Sequence, residues 1–210
     1  TFAFAPGFLP YRLVYIAAFL AAIPVLILII MYREEQHGSL EVPGFSVFRQ
    51  SLVIFVTNRR LRATALADMA TYFAYGALET FLPVYLAALR FEAYQIGLIF
   101  AIQVLIIAVT KPLFGRIADR VDKRIQIVGG LLITGGAVAA VPLATTFGGF
   151  LVVSALFGIG LSLSTVATSA YVADVARKEQ IGSSMGALSS IMDIGQSSGP
   201  LVTGLVITVA

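Results

Sequence analysis

From Gln95 to Phe114 the chain runs through twenty residues, QIGLIFAIQVLIIAVTKPLF, with a single charge at Lys111. A helix of about twenty mostly apolar residues is long enough to cross the ~30 Å hydrocarbon core of a bilayer. Five further stretches have the same character: Tyr11 to Tyr32, Thr64 to Leu89, Ile125 to Ala144, Gly148 to Tyr171 and Ser184 to Ile207. None shows the strict polar–apolar alternation of a lipid-facing barrel strand. The expected fold class is therefore an all-α polytopic membrane protein with six transmembrane helices.

Composition removes several other classes. Only 12% of the residues are charged, about half the fraction usual in a soluble domain. There is no Cys and no Trp, and the single His is His37, so thiol chemistry, disulfides and His-rich metal sites are not expected. The net charge of +3 is not gathered on an aromatic-bearing surface of the kind that binds nucleic acid. No metal, cofactor or nucleic-acid partner is predicted, and the lipid bilayer is the natural surrounding. The sequence starts at Thr1 and stops inside an apolar run, which reads as a fragment.

The basic residues set the orientation. If every stretch crosses, Arg12 and Arg90 lie on one side. The other side holds Arg33, Arg49, Arg59, Arg60, Arg62, Arg116, Arg120, Lys123, Arg124, Arg177 and Lys178, with Lys111 at a span end on that side. Positive charge in short loops marks the cytoplasmic face, so the loops at 33–63, 115–124 and 172–183 are assigned there and the first span runs inward. The outer joints, RFEAY and TTFGG, are very short. The long inner segment is broken at Pro43 and Gly44, and beyond them Val47, Phe48, Leu52, Phe55 and Val56 can share one helical face. A short helix lying in the inner interface is expected there.

One inner joint, GRIADRVDKR at 115–124, packs six charges into ten residues. Its basic residues alone suit anionic headgroups, but that does not account for Asp119 and Asp122. Gly115 and Asp119 are one helical turn apart. A glycine permits a close helix approach, and an aspartate can then accept from a helix N-terminus or pair with an arginine.

This stretch resembles the cytoplasmic motif A loop of the major facilitator superfamily, roughly G-x-x-x-D-R-x-G-R-[RK]. Gly115, Asp119, Arg120, Lys123 and Arg124 fit the pattern, and Asp122 stands where the family has a second glycine. Aspartate tolerates a left-handed backbone better than most residues, so a left-handed turn at Asp122 is the expectation. YGALETFLPVYL with QIGLIFAIQVL resembles the family's seventh and eighth helices. ADVARKEQIGSSMGALSSIMDIGQSSGPLVTG resembles the entry to its eleventh. On this register residues 1–32 hold the last helix of an N-terminal half and residues 33–63 the inter-half linker. Residues 64–210 then hold five helices of the C-terminal half, stopping before the last. The resemblance implies a secondary transporter working by alternating access, not an enzyme, in the cell membrane and monomeric when full length. It also implies a cytoplasmic latch in which Asp119 meets a partner on the family's fifth helix, outside this chain. Asp119 as a simple loop anchor is the alternative.

Polar residues within the spans are the site candidates, because charge is costly at the bilayer centre. Asp68, Tyr72, Tyr75 and Glu79 are spaced i, i+4, i+7, i+11. At about 100° per residue they fall within about 40° of one line. Asp68 is near the inner end, where water is expected to reach it. Glu79 lies deeper, one turn before Pro83, which invites a kink. In the sixth span Gly182, Gly186, Ser189, Asp193, Gln196, Pro200 and Gly204 follow at steps of three and four and read as a close-packing face with one acid at mid-depth. GQSSGPLVTG, with Gly195, Gly199 and Pro200, resembles the family's G-x-x-x-G-P-x-x-G-G element, which is associated with exporters in its first half. Gln103 at mid-span is a candidate substrate hydrogen-bonder. Lys111 beside Pro112 is expected to snorkel to the inner interface. Ser154, Ser162, Thr165 and Ser169 are expected to serve helix packing.

The candidates for substrate or proton contact are thus Glu79, Asp193, Gln103, Tyr72 and Tyr75. Two intramembrane enzymes are disfavoured, since no span contains His and GIGLSLS lacks an acid after its Gly-x-Gly. A channel is disfavoured because the outer joints are too short to hide a re-entrant loop. The resulting expectation is proton-coupled efflux of a drug-like molecule or metabolite by an antiporter. The alternative is a proton-coupled uptake symporter for a sugar or organic metabolite.

Overall fold

The computed structural model describes residues 9–31, 45–176 and 180–209. All elements among them are helical. The chain divides into two compact units, Thr1–Val42 and Pro43–Ala210. The first contains α1 (Leu9–Met31), largely apolar apart from Arg12, with Pro24 inside the helix. The second contains α2 (Phe45–Thr57), α3 (Arg59–Ala88), α4 (Ala93–Ala118), α5 (Lys123–Ala140) with a 3₁₀ turn at Val141–Leu143, α6 (Phe147–Val175) and α7 (Ile181–Val209).

Helix ends are set by side chains that a hydropathy profile does not weigh. The Asn58 side chain accepts from the backbone N–H of Arg60 and Leu61 at 3.0 and 3.4 Å. This cap satisfies otherwise orphaned donors, so α3 starts five residues before the apolar run, with three arginines in its first turn. Thr146 caps α6 by accepting from Gly149 N–H at 3.1 Å. Pro142 lacks an N–H, and α5 tightens into the 3₁₀ turn around it. α3 ends with Arg90 N–H bonded to Ala87 O and Phe91 N–H to Leu86 O. That is a Schellman pair, and it places Arg90 at φ 67°, the one left-handed non-glycine among the described residues.

The joint at 115–124 is shorter than the sequence suggested. Gly115 and Arg116 belong to α4, Asp119 is its C-cap, and Lys123 already opens α5. Asp122 does not adopt the left-handed backbone expected of it. It sits at φ −57°, ψ 116° and its carboxylate accepts from Arg124 N–H at 2.9 Å. The residue replacing the family's glycine is an N-cap, which needs no positive φ.

Among the described residues three helices are long and apolar enough to cross a membrane: α4, α5 with its 3₁₀ turn, and α6. α3 and α7 have 30 and 29 residues, about 45 Å each, but acids, serines and glutamine dilute their apolarity. α6 is the central element. Of its apolar window 61% is buried, against 11% for α4. It packs against α4 and α5, while α3 pairs with α7. Leu78, Leu82, Leu86, Ile99, Phe150 and Phe157 form the main apolar cluster. α2 packs on α3 and α7, with Phe55 buried and Leu52 against the second cluster. Val56, placed on the same apolar face from the sequence, is 65% exposed, so α2 buries a narrower stripe than five residues against the bundle. The side chains of Val47 and Phe48 lie outside the described set.

The helix pairs close at glycines. A Cβ at Gly76 would fall on the Gln196 carbonyl, one at Gly195 on the Met69 carbonyl, and one at Gly199 on the Phe73 carbonyl. Gly130 meets Ser164 N at 2.6 Å from where a Cβ would be, and Gly160 meets Thr134 N at 2.6 Å. The face of α7 turned inward is therefore Ser184, Ala187, Leu188, Gly195 and Gly199. The line predicted from steps of three and four is not the packing face: a Cβ at Gly182 meets nothing, and Ser189 and Asp193 are exposed. Small residues occupy both lines, so spacing could not tell which one faced α3.

Gly199→Ala is expected to destabilise the protein by about 1–3 kcal/mol through backbone overpacking. Gly115→Ala, where a Cβ meets nothing, should stay within about 1 kcal/mol of wild type, on the stabilising side. Thermal unfolding in detergent compares the two.

Candidate functional site

α3 carries the acids, and α6 and α7 decide what each can do. Asp68 is the residue whose placement differs most from expectation. It is 0% exposed, not solvated. One carboxylate oxygen accepts from Thr168 Oγ1 of α6 at 2.8 Å. The other, Oδ2, has no hydrogen-bond partner among the described residues. Lys111 of α4 is within electrostatic reach, which adds a role to a side chain otherwise exposed at the helix end. Depth along the helix suggested water at Asp68, but α6 crosses over that turn and shuts water out.

Above Asp68 the α3–α6 seam continues with Thr71 Oγ1 and Ser164 Oγ 3.3 Å apart. The α4–α6 seam has Thr110 Oγ1 and Ser162 Oγ at 2.6 Å. These hydroxyls also bond backward to carbonyls of their own helices, as Thr71 does to Ala67 O and Thr110 to Ile106 O. Gln103 is 1% exposed, and its Oε1 has no protein partner among the described residues. Its backbone carbonyl lies against Gly158 of α6. Gln103 is thus inside the α4–α6 contact and not on an open wall.

Tyr72 and Tyr75 are half-buried, their rings edge to face at 6.2 Å. Tyr75 stacks on Phe157 of α6 at 6.3 Å, which locks its position. Tyr72 is within electrostatic reach of both Asp68 and Asp193. Glu79 is exposed. Gln196 Nε2 of α7 stands 3.5 Å from Glu79 Oε2, and Tyr75, one turn earlier on α3, is within electrostatic reach of the same carboxylate. Asp193, one turn before Gln196 on α7, is exposed as well. The structure therefore brings Tyr72, Tyr75, Glu79, Asp193 and Gln196 onto one open α3–α7 surface. It separates Gln103 from them. Pro83 and Pro200 sit inside α3 and α7.

The motif-like residues occupy the opposite task. Asp119, Arg120 and Arg124 are exposed, and nothing in the described chain approaches Gly115. Lys123 Nζ pairs with Asp174 of α6 at 2.6 Å, tying the start of α5 to the end of α6. Sequence reasoning missed Asp174 because it lies past the apolar part of its helix. It missed Thr168 because one hydroxyl among several on the same helix carries no signal until its neighbour is known. Arg177 and Lys178 fall outside the described residues, as does His37.

Residues 2–200 match the sequence profile of the Major Facilitator Superfamily. The chain belongs to that superfamily. It is 29% identical over 153 residues to the "Multidrug resistance protein MdtG" of Yersinia enterocolitica, covering 70% of this chain and 37% of the relative. It is 27% identical over 140 residues to the "Uncharacterized MFS-type transporter MJ1560" of Methanocaldococcus jannaschii, covering 67% of this chain and 36% of the relative. The chain thus spans a little over a third of the length of the curated relatives it matches. Membership makes it a membrane protein of a transporter class that handles small molecules.

Thr168→Val removes the one hydrogen bond that the described residues give the Asp68 carboxylate while keeping the shape. It is expected to lower stability by about 1–3 kcal/mol, and Thr168→Ser should restore it. Unfolding curves in detergent read both. A valine variant as stable as wild type would show that Asp68 is not held by this bond.

Proposed function

We propose that this chain is part of a secondary transporter that exports a drug-like molecule or metabolite by alternating access in exchange for protons. The observation that carries the reading is the open α3–α7 surface, where Glu79 stands with Tyr75 and Gln196 on helices otherwise built for an apolar surrounding. In a major facilitator protein the substrate site lies near the midplane between two halves. A polar surface left open on one half-bundle suits one wall of that site. Two aromatic rings beside a carboxylate favour an amphipathic cargo, and the similarity to a multidrug resistance protein, MdtG, is in keeping with drug efflux.

In this reading the chain crosses the membrane six times, with 33–63, 115–124 and 172–183 cytoplasmic. α1 then closes the first half, and the full-length protein works as a monomer. Glu79 is the coupling acid, because a carrier's proton must reach water and Glu79 is exposed. Asp193 can share that task from α7. A specific observation supports Asp68 as a second acid: its Oδ2 is unpaired inside the bundle, so a proton there would remove a buried charge. Asp68 is closed off in this conformation and would need α3 and α6 to part. At the inner face Asp119 and the open surface at Gly115 serve the latch.

Glu79→Gln keeps the hydrogen bonding but cannot ionise. In vesicles holding the full-length protein it is expected to reduce accumulation driven by an imposed pH gradient to background while leaving substrate exchange intact. Asp68→Asn is the paired comparison: if it alone abolishes the pH-driven flux, coupling belongs to the buried acid. Asp119→Asn is expected to slow turnover about tenfold, the worth of one charged hydrogen bond of ~1.5 kcal/mol, with membrane insertion unchanged. Unaltered turnover would leave Asp119 a loop anchor.

A further inference from the structure

We propose that a cavity between the first turns of α3 and α5 binds one anionic phospholipid, its phosphate held by Arg59, Arg60 and Arg124. The inference needs only that these helices lie in a membrane, and it stands apart from the transport reading. The cavity has a volume of about 570 Å³ and all three arginines line it. They are exposed, and among the described residues no carboxylate forms an ion pair with any of them. The ion pair nearby uses Lys123 and Asp174 and leaves Arg124 uncommitted. Three like charges around one cavity repel one another until an anion enters. Guanidinium groups suit phosphate because their donors match its oxygens two at a time.

The depth profile selects a lipid over a soluble anion. Below the arginines the walls are mostly apolar, Ala63 and Ala67 on α3 and Ile127 and Leu131 on α5, with Thr64 of α3 and Tyr171 of α6 as the polar members. From Arg60 to Ala67, and from Arg124 to Leu131, the chain climbs about 10 Å along each helix. Both helices thus pass from charged to apolar in the same direction and over the same distance, the profile of a headgroup followed by an acyl chain. A free phosphate would use the arginines and gain nothing from the apolar wall. Basic pockets between transmembrane helices at the cytoplasmic level are suited to anionic headgroups for the same reason.

The test is native mass spectrometry of the full-length protein in detergent, titrated with phosphatidylglycerol, phosphatidylcholine and glycerol 3-phosphate. One phosphatidylglycerol is expected to be retained against an equal concentration of phosphatidylcholine, and glycerol 3-phosphate should not displace it. Arg59→Gln, Arg60→Gln and Arg124→Gln should each weaken retention about fivefold, and Arg124→Lys should weaken it less than Arg124→Gln. Single substitutions at these exposed positions leave the packed seams intact, so they decide the matter even if the triple variant does not fold. Equal retention of the two lipids by wild type would overturn the proposal, as it would if another part of the full-length chain fills the cavity. Unchanged retention in all three single variants, or displacement by glycerol 3-phosphate at the lipid's own concentration, would also overturn it.

Discussion

α3 and α7 touch backbone to backbone, and the candidate site depends on it. Lipid tails are as apolar as leucine, so two helices in a bilayer gain little by hiding apolar surface from each other. They associate through close packing and interhelical hydrogen bonds. Gly76, Gly195 and Gly199 each face a carbonyl of the opposite helix with no room for a methyl group. That approach brings Gln196 to Glu79 and Asp193 into the field of Tyr72. With alanines at those positions the helices would separate and the polar residues would no longer share a surface.

α6 makes the second constraint. It meets α5 at Gly130 and Gly160 and α4 at Gly158, so it runs through the middle of the bundle. A central helix cannot leave its polar groups to lipid or water, and its hydroxyls are turned to neighbours: Ser162 to Thr110, Ser164 to Thr71, Thr168 to Asp68. Thr71, Thr110, Ser162 and Thr168 each have a carbonyl of their own helix as a second partner, so those donors are not stranded when the bond across the seam breaks. Asp68 has no such reserve. Among the described residues its one hydrogen-bond partner is Thr168, so the burial of this carboxyl rests on a single bond across the α3–α6 seam.

Much of this was legible in the residues. Long apolar runs gave the helices, and the glycine-rich stretch from Gly195 to Pro200 announced close packing. The polar line of α3 placed Tyr72, Tyr75 and Glu79 on one face. What was not legible was which neighbour covered each face. Asp68 and Glu79 share that line, yet one is sealed by α6 and the other is open beside α7. Helical periodicity gives a residue's direction around its own axis and not what stands opposite. Ser189 and Asp193 were misplaced into a packing face for the same reason. The turn at Asp122 differed for a local reason: a carboxylate that caps the next helix relieves the need for a left-handed residue.

The charges where α4 joins α5 follow a division that the fold explains. Lys123 lies where α5 meets α6 and finds Asp174 there. Arg124 is one residue further round the helix, about 100° away, and turns toward α3 and the cavity shared with Arg59 and Arg60. Asp119 and Arg120 occupy the turn itself and stay exposed. A single run of charges is thus sorted by helical geometry into three surroundings. One is neutralised within the bundle, one is left without an acid beside an apolar groove, and one is open beside the unobstructed surface at Gly115. Among the described residues only the first finds an acid. The other two face open surface, and a cationic cavity with a largely apolar floor is complementary to an anionic amphiphile.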